Sequence, residues 1–261
     1  MSACATFRFY AELNAFLAPR RRQRAFTARL ARAATVKHMC EACGVPHTEI
    51  AFIFVDGEPA TFRRLLRDGE RVAVYPAFSR LDLTPLVPLD APPPGIPRFI
   101  ADSHLGGLTR FLRMAGFDCL FRNDYDDREI VTLAQQENRI VLTRDTQLLM
   151  QRGIQHGAFV HALRTEAQFA EIVRRFALAP HFRPFTRCLP CNVLLVEVAK
   201  DAVLDRLPPS VREHQQQFRR CPSCERIYWP GTHWERMRAL LASAAAVDFT
   251  AQSGLARGGR P

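Results

Sequence analysis

Hydrophobic and polar positions follow two different rhythms along this chain. Short alternating runs fill roughly the first eighty residues. FRFYAEL, from Phe7, predicts a strand, Arg20-Arg21-Arg22 a turn, and AFTARL a second strand. A helix is expected around Val36 to Cys43, then AFIFVDGEPA as strand and turn, and RVAVYPAF as a last strand. The order β-β-α-β-β predicts a small α+β domain over residues 1–83. Residues 84–97, TPLVPLDAPPPGIP, hold too much proline for a helix or a central strand and read as a semi-rigid linker.

Beyond the linker, strand and helix signals alternate. RFIADS predicts a strand, and HLGGLTRFLRMAG a helix with Leu105, Leu108, Leu112 and Ala115 on one face and Arg110 and Arg113 off it. DCLFRN predicts a strand, and DDREIVTLAQQEN a helix that packs Ile130, Leu133 and Ala134. RIVLTRD, TQLLMQRG, GAFVHAL and TEAQFAEIVRRFAL continue the alternation. This βαβα run predicts an α/β domain over 98–184 with a doubly wound, mostly parallel sheet. Residues 185–246 add a strand at NVLLVEVA and a helix near Ser210 to Phe218. The tail, 247–261, ending GLARGGRP, is expected to be disordered.

Composition narrows the class. A chain of 261 residues can bury one large core or two smaller ones. No apolar run approaches the roughly 18 residues that span a bilayer, so no membrane partner is expected. MSACATFRFYAEL lacks the pattern of a signal peptide. The expected compartment is the cytoplasm, where eight cysteines stay reduced and metal thiolates are favoured over disulfides. The formal charge is +10, and Lys37 and Lys200 are the only lysines, so the basicity is almost all arginine. Guanidinium forks grip phosphate bidentately, which makes nucleic acid the leading class of partner.

Two motifs then carry chemistry. CLPC (Cys188, Cys191) and CPSC (Cys221, Cys224) are C-x₂-C knuckles that together supply four thiolates for a tetrahedral structural Zn²⁺. HMCEACGVPH offers Cys40, Cys43, His38 and His47, but no other paired ligands lie nearby in sequence, and small buried thiols on a helix are ordinary. The second motif is acidic. Asp102 follows the strand RFIA, Asp126 and Asp127 follow the next, and Asp145 follows IVLTR. In parallel sheets, functional groups collect at the carboxyl ends of strands. Each aspartate also precedes a helix, where capping alone would explain it. Two carboxylates about 5 Å apart repel by roughly 3 kcal/mol at an effective dielectric of about 20, so a cluster wants a cation. Oxygen ligands suit Mg²⁺ or Mn²⁺. Asp145 could cap its helix or face such an ion. Past the second knuckle, RIYWPGTHWERM offers Tyr228, Trp229 and Trp234 for stacking on bases and Arg226, Arg236 and Arg238 for phosphate. The same aromatics could equally pack the ribbon. His104, beside Asp102, is left without a role.

ADSHLGGLTRFLRMAGFD, DDREIVTLAQQENRIVLTRD and the cysteine pairs closely resemble the Mut-seven C-terminal RNase family, a PIN-like nuclease domain with an attached zinc ribbon. The similarity runs from about Arg98 to Leu241. VDGEPA and LLRDGERVAVYPAF resemble a ubiquitin-like β-grasp domain of the kind fused to it, close to sulfur carriers but continuing past the point where their Gly-Gly end would lie. That domain is expected to bind a protein partner. The resemblance implies RNA hydrolysis with Mg²⁺ or Mn²⁺ held by Asp102, Asp127 and Asp145, with Asp126 or Glu129 as alternatives in the middle position and with Asp145 facing the ion rather than capping its helix. Substrate contacts are expected from Arg144, Arg110, Trp229 and His233, although Arg144 could equally pair with an aspartate and His233 cap a helix. A fourth acid, common in PIN domains just after the TRD position, is replaced here by Thr146-Gln147-Leu148.

A dinucleotide-binding enzyme lacks its G-x-G-x-x-G, and a phosphoacceptor receiver lacks its lysine. The remaining alternative is a non-catalytic RNA-binding or RNP-associated zinc-ribbon protein.

Overall fold

The computed structural model describes residues 3–77, 88–89, 91–231, 239 and 242. The chain forms two compact units, Met1–Pro93 with Asp126–Phe159, and Pro94–Tyr125 with Val160–Pro261.

In the first unit, strands β1 (Cys4–Phe9), β2 (Phe26–Arg29), β3 (Phe52–Val55), β4 (Glu58–Pro59) and β5 (Arg71–Tyr75) form a mixed sheet in the order β2-β1-β5-β3-β4. Strand β1 is antiparallel to β2 and parallel to β5, and β3 is antiparallel to β5. Alternation decides the two faces. Phe7, Phe9, Val72, Val74, Ile53 and Val55 turn inward onto the helix α1 (Val36–Ala42), with Val36, Met39 and Cys40 in the same core. Thr35 starts that helix, its Oγ1 accepting from the His38 N–H at 3.2 Å. Asp56 and Gly57 both take positive φ, 51° and 89°, as a two-residue hairpin requires. The strand expected over FRFYAEL stops at Phe9, because Ala11 turns left-handed (φ 46°) and a short 3₁₀ turn, Ala11–Phe16, buries Leu13.

The same unit holds α3 (Asp127–Glu137), β8 (Ile140–Thr143), α4 (Thr146–Leu149) and β9 (Gly157–Phe159), with β8 and β9 parallel. Every residue of β8 is buried, as an interior parallel strand demands. Two buried polar residues of the N-terminal block tie onto this segment. Glu49 Oε1 accepts from the Phe159 N–H at 2.7 Å, and His47 bridges Glu41 Oε1 and the Ile154 carbonyl, both at 2.8 Å. Compactness therefore does not follow the chain order from which the sequence organisation is read.

The second unit contains β6 (Phe99–Ala101) parallel to β7 (Cys119–Leu120), with α2 (Gly106–Met114) and α5 (Thr165–Arg175). Leu105, Leu108, Leu112 and Ala115 are fully buried, as the helical period predicts. Arg113 departs from that pattern: it is 4% exposed, for a reason given below. The C-terminal part adds β10 (Val196–Val198), α6 (Pro209–His214), β11 (Phe218–Arg220) and β12 (Ile227–Tyr228), a three-stranded antiparallel sheet over Val203, Leu207 and Phe218. The expected helix reaching Phe218 ends at His214, because Phe218 opens β11 and is needed in this small core. The tail from 247 and most of the aromatic stretch after Gly231 lie outside the described residues. Among the described residues no helix is long and apolar enough to cross a membrane.

Candidate functional site

The two C-x₂-C segments fold alike. In each, the backbone N–H of the first cysteine donates to a carbonyl five residues on, Val193 or Arg226, both at 2.9 Å. The residue after the second cysteine takes a left-handed conformation, Asn192 at φ 66° and Glu225 at φ 60°. Its N–H donates back to the first cysteine's carbonyl, at 2.9 and 3.0 Å. These bonds turn both thiols of each knuckle to the same side. The Sγ atoms of Cys188, Cys191, Cys221 and Cys224 all lie within 4.8 Å of one another, with Cys188 and Cys224 3.6 Å apart. Zinc–sulfur bonds of about 2.3 Å in a tetrahedron put sulfurs about 3.8 Å apart, so the donor set fits Zn²⁺. All eight cysteines are free thiols. Among the described residues, this is the only group of three or more His, Cys, Asp or Glu side chains with ligand atoms so close.

The electrostatics around the thiols are uneven. Burial pushes the Cys188 thiol up to about 12, whereas the backbone N–H of Arg226 is the main influence drawing Cys224 down to about 7. A bound divalent ion deprotonates coordinating thiols outright and so removes this asymmetry. Tyr228 sits behind the site. Burial, then its contact with Cys188, pushes its hydroxyl pKa up; the hydroxyl lies 3.1 Å from Cys188 Sγ, accepts from the Leu189 N–H at 3.2 Å, and is placed to donate to the sulfur when a metal makes it a thiolate.

Three groups within the second unit pin the first knuckle. Arg113 donates from Nε to the Cys119 carbonyl at 2.9 Å, and from Nη1 to the Leu189 and Pro190 carbonyls at 2.8 and 2.7 Å. Burial is the largest influence lowering its pKa, with nearby thiols and Asp118 opposing. The Asn192 side chain accepts from the Cys119 N–H at 3.1 Å and donates to Asp118 at 2.7 Å. Arg187 donates to the Gly116 and Asn192 carbonyls. Helical spacing hides Arg113, because two of its three carbonyl partners lie more than seventy residues away in sequence.

A cleft of about 970 Å³ opens beside this brace. It brings together two of the expected substrate residues, Arg110 and Trp229, with Arg226 and Tyr228. Phe121 and Arg206 also line it, and no sequence motif singled them out. Ser103, the residue after Asp102, is at its edge. Arg144 belongs to the other unit, and His233 lies outside the described residues.

Each aspartate sits at a strand-to-helix junction. Asp102 follows β6, is 7% exposed, and its Oδ1 accepts from the His104 N–H at 2.9 Å; the His104 ring stands 3.6 Å away. Asp126 caps α3 in a reciprocal box with Glu129, at 2.8 and 3.1 Å. Asp127 is the first residue of α3 and is exposed. Asp126 and Glu129 are thus engaged with each other's backbone. Asp145 follows β8 and does cap its helix, its Oδ1 accepting from the Gln147 N–H at 2.7 Å. The expectation that it would leave the cap unmade is therefore corrected. A short α4 needs the acceptor, and an ionised carboxylate has about four lone-pair sites, so one cap bond does not preclude a ligand role.

Cys40 and Cys43 are buried on α1, and burial raises both thiols, Cys43 to about 11. His38 is exposed and His47 is engaged with Glu41, so HMCEACGVPH makes no second metal group among the described residues.

No curated protein and no solved structure matches the chain. Residues 2–82 match the Mut7-C ubiquitin family model, in keeping with the five-stranded sheet and the helix α1. Residues 97–241, more than half of the chain, match the model of the Mut7-C RNAse domain, and this stretch holds the three strand-end aspartates and all four clustered cysteines. The chain belongs to the Mut7-C RNAse domain family, carrying a Mut7-C ubiquitin domain at its N-terminal side.

Proposed function

We propose that this protein is a Mg²⁺- or Mn²⁺-dependent ribonuclease in which Asp102, Asp127 and Asp145 hold the catalytic ion and the Cys188, Cys191, Cys221 and Cys224 thiolates hold a structural Zn²⁺. Family membership and the four-cysteine cluster support a metal-associated, nuclease-type hydrolase. The observation that carries the acidic assignment is the place of each carboxylate at its own strand–helix junction, with one oxygen's cap bond fixing the side chains of Asp102 and Asp145 and with Asp127 opening α3. When bound, the ion would supply an acidified water and neutralise charge on the phosphodiester. Arg110 and Trp229 in the cleft are suited to hold a phosphate and a base, and Arg144 and His233 are assigned to the same substrate. Residues 98–184 serve as the nuclease domain, 185–246 as the ribbon and 1–83 as a binding module joined by 84–97. Free thiolates suit a reducing compartment such as the cytoplasm.

A second reading, an RNA-binding protein without catalysis, draws support from the arginine and aromatic lining of the cleft and from Thr146-Gln147-Leu148 in place of a fourth acid. Cleavage of labelled single-stranded RNA in Mn²⁺ separates the two. Asp102→Asn and Asp145→Asn should lower the rate at least about a hundredfold, given the size of metal-borne charge stabilisation, while RNA affinity stays within a few-fold. EDTA should stop the wild-type reaction and Mn²⁺ restore it. Wild-type rates in both variants would refute the acidic site.

A further inference from the structure

The outer face of the N-terminal sheet breaks the alternation that shaped its inner one. An open face should carry polar side chains at every second position. Here Phe54 of β3, Tyr75 of β5 and Tyr10, just past β1, all lie on it, half-buried and adjoining. The Tyr10 and Tyr75 rings stack at 4.2 Å and 11°, and Phe54 meets Tyr75 edge-on at 5.9 Å. The Arg8 guanidinium stands 5.4 Å over the Tyr10 ring. Register places Arg8, Ala73 and Phe54 in one row across three strands, with Thr6 and exposed Arg71 in the next. Together they line a concavity of about 870 Å³. Asp56, the acid at its rim, has its Oδ1 held by the Arg71 backbone N–H at 2.9 Å.

Residues 2–82 carry thirteen arginines and lysines against eight acids, so an anion is the complementary partner. Contiguous rings among guanidinium groups distinguish bases on a phosphate chain from a merely acidic peptide, because every base offers a face to stack while a carboxylate does not.

We infer that this sheet face is a second nucleic-acid site, taking about two or three nucleotides of single-stranded RNA by stacking on Tyr10, Tyr75 and Phe54 with phosphates at Arg8 and Arg71. The choice of RNA rests on the ribonuclease reading; the platform itself does not. It gives the ubiquitin-like domain the task of holding substrate.

The test uses the full chain carrying Asp102→Asn, so that RNA stays intact, and a thiouridine-containing oligouridylate photo-cross-linked and mapped by mass spectrometry. Adducts are expected in peptides covering residues 4–10, 52–57 and 71–77. Tyr10→Leu/Tyr75→Leu should remove them and weaken binding about tenfold, whereas Tyr10→Phe/Tyr75→Phe should preserve both. Arg8→Ala/Arg71→Ala should lower the slope of log affinity against log salt by about 1 to 1.5. Unchanged melting temperatures would show that these outward positions leave the fold intact. Absence of adducts from these peptides overturns the proposal, as does an affinity indifferent to the leucine pair. Polyglutamate binding more tightly here than oligouridylate also overturns it and marks an acidic protein partner instead. Adducts are read whether or not the wild type cleaves, so failure of the platform and failure of the nuclease reading remain distinct.

Discussion

Arg113→Met tests whether the zinc knuckle is held by the helix α2 or only by its metal. The substitution keeps the unbranched stem and removes a guanidinium that serves three carbonyls, at Cys119, Leu189 and Pro190. A hydrogen bond to a charged group contributes about 1.5 to 3 kcal/mol net, which sets an upper bound of about 9 kcal/mol for three. Two corrections reduce it. Burying the guanidinium has its own desolvation cost, visible in its lowered pKa, and that cost disappears with the charge. The Leu189 and Pro190 bonds are only partly buried, so water recovers part of their worth. The expected loss is about 3 to 5 kcal/mol, or a melting temperature lower by about 10 °C for a domain of this size. Zinc should pass to a chromogenic chelator faster than from wild type, because Leu189 and Pro190 lie between the ligands Cys188 and Cys191. Arg113→Lys should recover less than half of the loss, since an ammonium cannot span the fork geometry. Melting within about 2 °C of wild type, with unchanged zinc release, would refute the brace.

Other outcomes follow from the same contacts. Cys188→Ser should release zinc and unfold the ribbon, and unchanged zinc by elemental analysis would refute the assignment. Asp126→Ala should cost about 1 kcal/mol through the lost capping box yet spare cleavage, whereas Asp127→Asn should abolish cleavage with little loss of stability. A rate profile with the reverse order would exchange their roles. Burial raises Cys43 to about 11, so its thiolate fraction is about 0.001 at pH 8 and grows about tenfold per pH unit toward that value. Iodoacetamide should therefore leave Cys43 unmodified in the native protein at pH 8 and label it faster as pH rises. Rapid labelling at pH 8 would contradict its burial.

What could be read in advance had local causes. The period-two runs fixed the inward faces of β1 and β5, and the 3.6-residue spacing fixed Leu105, Leu108 and Leu112, because a side chain's direction follows from its own backbone. The C-x₂-C pairs announced the metal group for the same reason, each turn arranging two thiols through bonds within six residues. Capping by Asp126 was legible as D-x-x-E. What no window of sequence contains is the partner of a long polar side chain. Arg113 reads as a solvent-facing helix position and is instead buried, donating to carbonyls of which two come from beyond residue 188. His47 reads as a metal decoy and becomes a link between Glu41 and Ile154. The aromatic row on the N-terminal sheet appears only when β1, β3 and β5 are set side by side, since register alone turns three separate rings into one surface. Sequence determined which residues alternate, cap and pair within a turn, and tertiary structure decided which distant groups satisfy one another, because burial and hydrogen bonding are settled in space rather than along the chain.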